Sequence, residues 1–444
     1  MSGPSPVVLS PSYARYALGV LFAINLFNYV DRQIIFGVFP LVQDDLALSD
    51  TALGALGSAF MMVYMVASIP LGILGDRTAR NRLIAAGVAV WGAATLLSGL
   101  ARSYGQLFLS RALVGIGEAS YGPTATAMVS DLFPKPRRGF VNGVFNAAIP
   151  LGGAIGVAVG GLVGARFGWR AAFLLVGVPS VLLALLAWRL GDPPRGAHDV
   201  AGADGPLTAA APAPTAVTAV PGLLGGILGL LRTPTFLMVC AVGTLVAFAT
   251  GAFAAWLPTY LFRVKGFGLR EAAVVYGTVF AAAGLLGVVA GGLIGDALTR
   301  RTPAGHLLTI AGGFILSAPC GFLFLLHDRP GVFVPALFFA VFFLVLYVGS
   351  VNAVIHNVVH PSLRATAIAI FVLLIHLGGD AVSPAVVGLI SDRRRSLQAA
   401  MLLLPVIVFF AGVIALAAVA VVAADMRRVE RSLATAEAGR GTHG

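Results

Sequence analysis

The sequence is short of charge. Only 11% of its 444 residues are Asp, Glu, Lys or Arg, against about 25% in a soluble domain. That is too little charge to clothe a soluble globule of this size. Cysteine is scarce as well: Cys240 and Cys320 both lie in apolar runs, which excludes a disulfide framework and a thiol metal motif. Acidic residues are outnumbered 18 to 29, leaving a net charge of +11. The basic residues form short clusters between long apolar stretches, as membrane-flanking loops do, and no nucleic-acid-binding face is implied. A Walker loop is missing, so ATP has no cradle. Gly115-Ile-Gly117 has no strand before it and is not a dinucleotide fingerprint. With no catalytic constellation, the chain reads as a non-enzyme that needs no cofactor and holds no metal.

What the sequence has is apolar length. Hydrophobic residues make up 58% of it and the mean hydropathy is +0.94. A helix needs about 20 apolar residues to cross a bilayer core. Twelve stretches qualify, at 15–41, 51–75, 81–101, 105–133, 138–166, 170–190, 234–262, 270–298, 305–326, 331–359, 363–391 and 397–424. Runs such as Phe338 to Val348 exclude the alternating strands of a barrel. The first stretch is too long for a secretory signal and carries Asp31 and Arg32, so it is expected in the mature protein. The expected fold is an all-α integral membrane protein of twelve transmembrane helices in two pseudo-symmetric six-helix bundles.

Residues 191–222 run from Gly-Asp-Pro-Pro-Arg into Ala, Pro, Thr and Gly, a tract that cannot bury a core. It divides the chain into a first bundle at 1–190, a cytoplasmic linker at 191–233, a second bundle at 234–424 and a cytoplasmic tail at 425–444. Early loops set the orientation. The first outer loop offers only Asp44, Asp45 and Asp50, whereas the first two inner loops hold Arg77, Arg80, Arg82, Lys135, Arg137 and Arg138. Both termini are therefore expected in the cytoplasm of a cell with the chain in its inner membrane, although Arg393–Arg395 falls outside. The halves resemble each other: Gly72-Ile-Leu-Gly-Asp76-Arg77 recurs as Gly292-Leu-Ile-Gly-Asp296-Ala297, and Pro134-Lys-Pro-Arg137 as Pro361-Ser-Leu-Arg364. Parallel repeats of this kind build one large class of secondary transporters.

Asp31, Arg32, Arg111, Glu118 and Asp380 lie inside spans. Each costs about 2.5–3.5 kcal/mol at mid-membrane if it faces lipid, so all five must face the interior or one another. Arg111 and Glu118 are two helical turns apart on one face, and Asn25, Asn28 and Arg32 share a face of the first span beside Asp31. These charges read either as a proton-exchanging relay or as a fixed structural set. Asn352 with His356, and His376 with Asp380, each share a helical face; the second pair is either cavity lining or helix-to-helix glue. The second half holds 17 of the 28 phenylalanines, among them Phe253, with Trp256 nearby. One polar and one aromatic wall would suit a substrate with a charged head and a greasy body. Asn28, Tyr121, Asn146, Phe253, Trp256, Asn352, His356, His376 and Asp380 are the substrate-binding candidates.

The segment Gly72-x-x-x-Asp76-Arg77-x-x-Arg80-x-Arg82 resembles the loop signature of the major facilitator superfamily, although Ala79, Asn81 and Ala297 depart from its commonest form. It implies a cytoplasmic latch built from Asp76, Arg77, Arg80, Asp296, Arg137 and Arg364. Asn28-Tyr29-Val30-Asp31-Arg32, Arg111-x-x-x-Gly115-x-Gly117-Glu118-Ala119, Trp256-x-Pro258-x-Tyr260 and Gly378-Gly379-Asp380 with Ser383-Pro384 and Ser391-Asp392 are similar to the Spinster family within that superfamily. The resemblance implies a proton-coupled exporter or exchanger of amphipathic molecules, monomeric in the bilayer, with protons and a lysolipid-like anion or zwitterion as its partners. It gives Asp31 the role of proton-sensitive switch and Arg32, Arg111 and Glu118 those of its partners. A drug or organic-anion carrier of the same superfamily, an uncoupled lipid scramblase and a transporter-like receptor are the competing readings. Ile149-Pro150-Leu151-Gly152-Gly153 is one residue short of the antiporter signature, which leaves the direction of transport open.

Overall fold

The structure is a computed structural model that describes residues 10–194 and 223–441, without the side chains of 76, 123, 135–136, 223–226, 365 and 434–441. Most of the expected linker and part of the tail lie outside the described residues. The first half is built of α1 (Pro11–Gly37), α2 (Phe39–Leu46), α3 (Asp50–Arg77), α4 (Arg80–Leu100), α5 (Tyr104–Ala119), α6 (Gly122–Leu132), α7 (Lys135–Asn146), α8 (Ala148–Phe167) and α9 (Trp169–Trp188). After α10 (Leu223–Leu231) come α11 (Pro234–Arg263), α12 (Leu269–Thr299), α13 (Gly305–Leu326), α14 (Pro330–Leu344) and α15 (Tyr347–Val358). The rest is α16 (Arg364–Ile375), a π-helical turn at His376–Asp380, α17 (Ser383–Arg394), α18 (Leu397–Met401) and α19 (Leu403–Gly441). No strand occurs among the described residues.

Local chemistry sets the helix starts. Ser10, Ser49 and Ser103 cap α1, α3 and α5, each hydroxyl accepting from a backbone N–H three residues on. Among the described residues, ten helical stretches are long and apolar enough to cross a membrane. The two expected spans that fall short of this measure are α1 and the α5–α6 pair. They are also the ones that carry Asp31, Arg32, Arg111 and Glu118. The span expected at 105–133 is broken between Ala119 and Gly122, where Pro123 has no N–H to continue the ladder.

Small residues let helices touch backbone to backbone. A methyl group on Gly156 of α8 would stand 2.5 Å from the Val30 carbonyl oxygen of α1, and one on Gly160 would stand 2.6 Å from that of Ile34. Gly287 of α12 approaches the Phe342 carbonyl of α14 in the same way.

Contacts divide the chain into two compact units. The first contains Met1–Thr208, Ala254–Thr278 and Pro384–Arg393; the second contains Ala209–Phe253, Val279–Ser383 and Arg394–Gly444. The core of the first unit includes Leu21, Ile24, Val88, Trp91, Val114 and Tyr121, all buried. The Tyr121 and Trp91 rings meet in a T, the centroids lying 5.7 Å apart.

Candidate functional site

In the first unit α1 and α5 hold four charges that lipid could not. Asp31 is fully buried. One of its carboxylate oxygens accepts from Arg111 Nη1 at 3.0 Å and the other from Thr95 Oγ1 of α4 at 2.6 Å. Its backbone carbonyl accepts from Arg111 Nη2 at 3.1 Å. On the next residue of α1, Arg32 Nε donates to Glu118 Oε2 at 2.5 Å. The pairing is therefore crossed between helices: Asp31 with Arg111, and Arg32 with Glu118.

The two pairs have different surroundings. Arg111 is sealed in, its guanidinium carbon 5.7 Å from the Phe173 ring centroid. The Arg32 side chain keeps 15% of its surface, while that of Glu118 has none. Tyr29, Phe60 and Tyr64 surround the Arg32 guanidinium with ring centroids 4.9, 5.0 and 4.8 Å from its central carbon. Such a cage stabilises a cation whether or not its carboxylate stays in place. Among the described residues, Glu118 Oε1, Asn28 Nδ2 and Arg111 Nε have no hydrogen-bond partner. Both Asp31 oxygens have a donor, whereas one oxygen of Glu118 has none among the described residues.

The second unit holds the other intramembrane carboxylate. Both oxygens of Asp380 lie 3.0 Å from His376 Nδ1, across the π-helical turn in which Gly379 leaves helical geometry (φ −107°, ψ −106°). Single π turns inside α-helices recur at functional sites. A cavity of about 220 Å³ is lined by Tyr347, Val351, Asn352, Phe371 and Ile375, among others. Phe253 packs on Phe280 and Phe324, its ring centroid 6.1 and 6.0 Å from theirs, and borders a smaller apolar cavity. His356 is exposed on the same helix as Asn352.

Other candidates sit elsewhere. Trp256 is fully buried in the first unit, its indole N–H donating to the Pro384 carbonyl at 2.9 Å and its ring 5.4 Å from that of Phe39. It packs against protein and does not wall open space. Tyr121 donates to the Leu21 carbonyl at 2.6 Å within the core, and Asn146 is exposed and bonds back to Asn142. Arg80 is buried. Its guanidinium binds Asp131 at 2.5 Å, Asp192 at 2.9 Å and the Pro193 carbonyl at 2.6 Å, while its backbone N–H donates to Asp192 at 2.9 Å. Arg77, Arg137 and Asp296 are exposed, and the Arg364 side chain donates to the His356 carbonyl at 3.1 Å. The Asp76 side chain lies outside the described residues. Thr95, Phe60, Tyr64, Asp131 and Asp192 are missing from the sequence reading; each meets a partner on a distant part of the chain. Among the described residues, no group of three or more His, Cys, Asp or Glu could hold a metal.

Residues 21–379 match the Major Facilitator Superfamily. Protein spinster homolog 1 of Homo sapiens is 34% identical over 407 residues, covering 87% of this chain and 75% of that protein. The chain belongs to the Spinster family of the major facilitator superfamily. Another relative of this Spinster-family chain, an MFS-type efflux pump of Mycolicibacterium smegmatis, is 34% identical over 386 residues, covering 86% of this chain and 85% of that one. The fold agrees with a crystal structure of a bacterial homolog to the human lysosomal transporter Spinster, in an inward-facing and unoccupied conformation. That match has a TM-score of 0.77 at 24% identity, over 95% of this chain and 98% of the other. Spinster-family membership makes the chain a multi-pass membrane transporter and not an enzyme.

Proposed function

We propose that the chain is a proton-coupled secondary transporter that moves an amphipathic small molecule, a lysolipid-like or other lipidic anion or zwitterion, by alternating access. The observation that carries the reading is the unequal state of the two crossed ion pairs. Asp31 has a donor on each oxygen and serves with Arg111 as the fixed member. Glu118 has one vacant acceptor and a partner that aromatic rings can hold without it. A proton on Glu118 removes the charge that Arg32 answers, which leaves a partly exposed guanidinium for an anionic head group. Departure of the proton restores the pair and expels the anion. Proton and substrate thus compete through one arginine.

Apolar and aromatic lining in the second unit, with Phe371 and Asn352 in one cavity and Phe253 beside another, supports a substrate with a hydrocarbon body. Asp380 with His376 is a second protonatable pair on that side of the chemistry. A monomer in the cell membrane with both termini in the cytoplasm completes the reading. Because the Mycolicibacterium smegmatis relative is described as an efflux pump, export of drugs or organic anions is the second reading.

Proteoliposomes with an imposed pH gradient and a panel of lysolipids and drugs test this. Gradient-driven flux that disappears in Glu118→Gln supports coupling through Glu118. Equal flux with and without the gradient identifies a scramblase, and binding without flux a receptor.

A further inference from the structure

The loop signature has a third copy. Gly388-Leu-Ile-Ser-Asp392-Arg393, in α17, repeats the Gly-x-x-x-Asp-Arg pattern of residues 72–77. The earlier copy closes the C-terminal end of α3. The later one meets the N-terminal end of that same 28-residue helix, about 40 Å away at 1.5 Å per residue. One oxygen of the Asp392 carboxylate accepts from the Asp50 N–H at 3.0 Å, and the other accepts from the Thr51 N–H at 2.8 Å and the Thr51 hydroxyl at 2.5 Å. We propose that Asp392 is a positioning residue for transport, a latch that caps α3 in one state of the cycle and releases it in the other.

The surroundings are built for this. Asp50, the first residue of α3, accepts from Arg263 of α11 at 2.7 Å, from Ser391 at 2.6 Å and from Gln43 at 3.0 Å. Arg263 also donates to the Gln43 side-chain oxygen. Two segments of the second half of the chain, Ala254–Thr278 and Pro384–Arg393, thus converge on one helix start. The approach is backbone to backbone: a methyl group on Gly388 would overlap the Asp50 carbonyl, and one on Gly54 would overlap that of Pro384. Only glycine allows the carboxylate to reach the free N–H groups of the first turn, where a negative charge is most favoured. Asp392 is exposed and its bonds are open to water, so they can exchange for hydration without a large barrier. A latch that must open every cycle needs that property; a permanent structural bond does not.

The proposal rests on the alternating-access reading, and one measurement separates the two. Spin labels at Arg102→Cys, in the exposed segment before α5, and Arg270→Cys, at the exposed start of α12, in the full-length chain with Cys240 and Cys320 replaced by Ser, report the distance across this end. In proteoliposomes at two pH values the parent should show a short and a long population. Asp392→Ala should raise the long-to-short ratio three- to tenfold. Asp392→Asn, which keeps an acceptor but not the charge, should fall between. Gly388→Leu, which wedges the same contact without touching the carboxylate, should move the ratio the same way. Asp45→Ala, which removes an exposed pair with Arg170, should leave it unchanged. Two populations whose ratio ignores Asp392→Ala and Gly388→Leu overturn the latch and leave alternating access standing. A single distance in the parent and every variant at both pH values overturns both.

Discussion

Asp31→Asn separates shape from charge at the centre of the buried cluster. The amide is isosteric, and its oxygen can still accept from Arg111 Nη1, which stands 3.0 Å from the carboxylate. Its NH2 can donate to Thr95 Oγ1, because the Thr95 hydroxyl has a second acceptor in the Trp91 carbonyl at 2.9 Å. Every hydrogen bond of the native site therefore has a replacement. What is lost is the countercharge of Arg111, a side chain with 1% of its surface exposed. Removing one partner of a buried pair costs about 3–5 kcal/mol. With the hydrogen bonds retained, the lower end, about 3 kcal/mol, is expected. For a bundle of this size that corresponds to a fall in Tm of about 6–12 °C. Thermal unfolding of the purified protein in detergent measures it. The double variant Asp31→Asn with Arg111→Met, which removes the orphaned cation too, should recover most of the loss. A single variant within about 1 kcal/mol of the parent, or a double variant no more stable than the single, would refute the argument that charge compensation holds this site.

Glu118→Gln keeps an acceptor for Arg32 but cannot exchange a proton, so pH-driven transport should flatten while binding at fixed pH persists; transport that stays steep in pH would return the role to Asp31. Arg80→Ala removes a buried cation that binds two carboxylates and should cost about 3–5 kcal/mol in thermal unfolding, with Arg80→Lys intermediate because it lacks the planar fork. Gly156→Leu should block folding or drive α1 and α8 apart, read as lost monodisperse protein in detergent. Gly19→Ala, where an added methyl meets nothing within 4 Å, should be neutral or stabilising by up to about 1 kcal/mol.

Much of this was open to inspection in one dimension. Scarce charge and twelve apolar stretches define the class, and four charges inside otherwise apolar helices had to face protein. Which charge pairs with which was not legible. Arg111 and Glu118 share a face of α5, yet each finds its partner on α1, because helix adjacency is a tertiary fact that spacing along one helix does not encode. Asp50 looks like an ordinary loop charge and Asp392 is one residue of a family motif; nothing along the chain joins them, and 342 residues separate the pair. Trp256 stood out as a cavity aromatic in the aromatic-rich second half, and Tyr121 as a substrate-binding candidate. Burial instead supplies backbone carbonyls as their acceptors, the usual solution for such side chains in a core. Arg80 stood in a gate motif, but Asp131 and Asp192 supply enough charge to hold it inside its own unit. The break near Gly122-Pro123 was written in the sequence and is the sort of signal a reading by hydropathy alone passes over.

Asp192 lies beyond the last helix of the first half, and it carries two of the bonds that hold Arg80, with the Pro193 carbonyl adding another. The first half therefore finishes in chemistry five residues after it finishes in helix. Anyone expressing the two halves as separate polypeptides, or inserting a reporter between them, should cut after Pro194. A cut at Trp188, where α9 ends, would leave the first fragment with a buried guanidinium stripped of two of its three ligands.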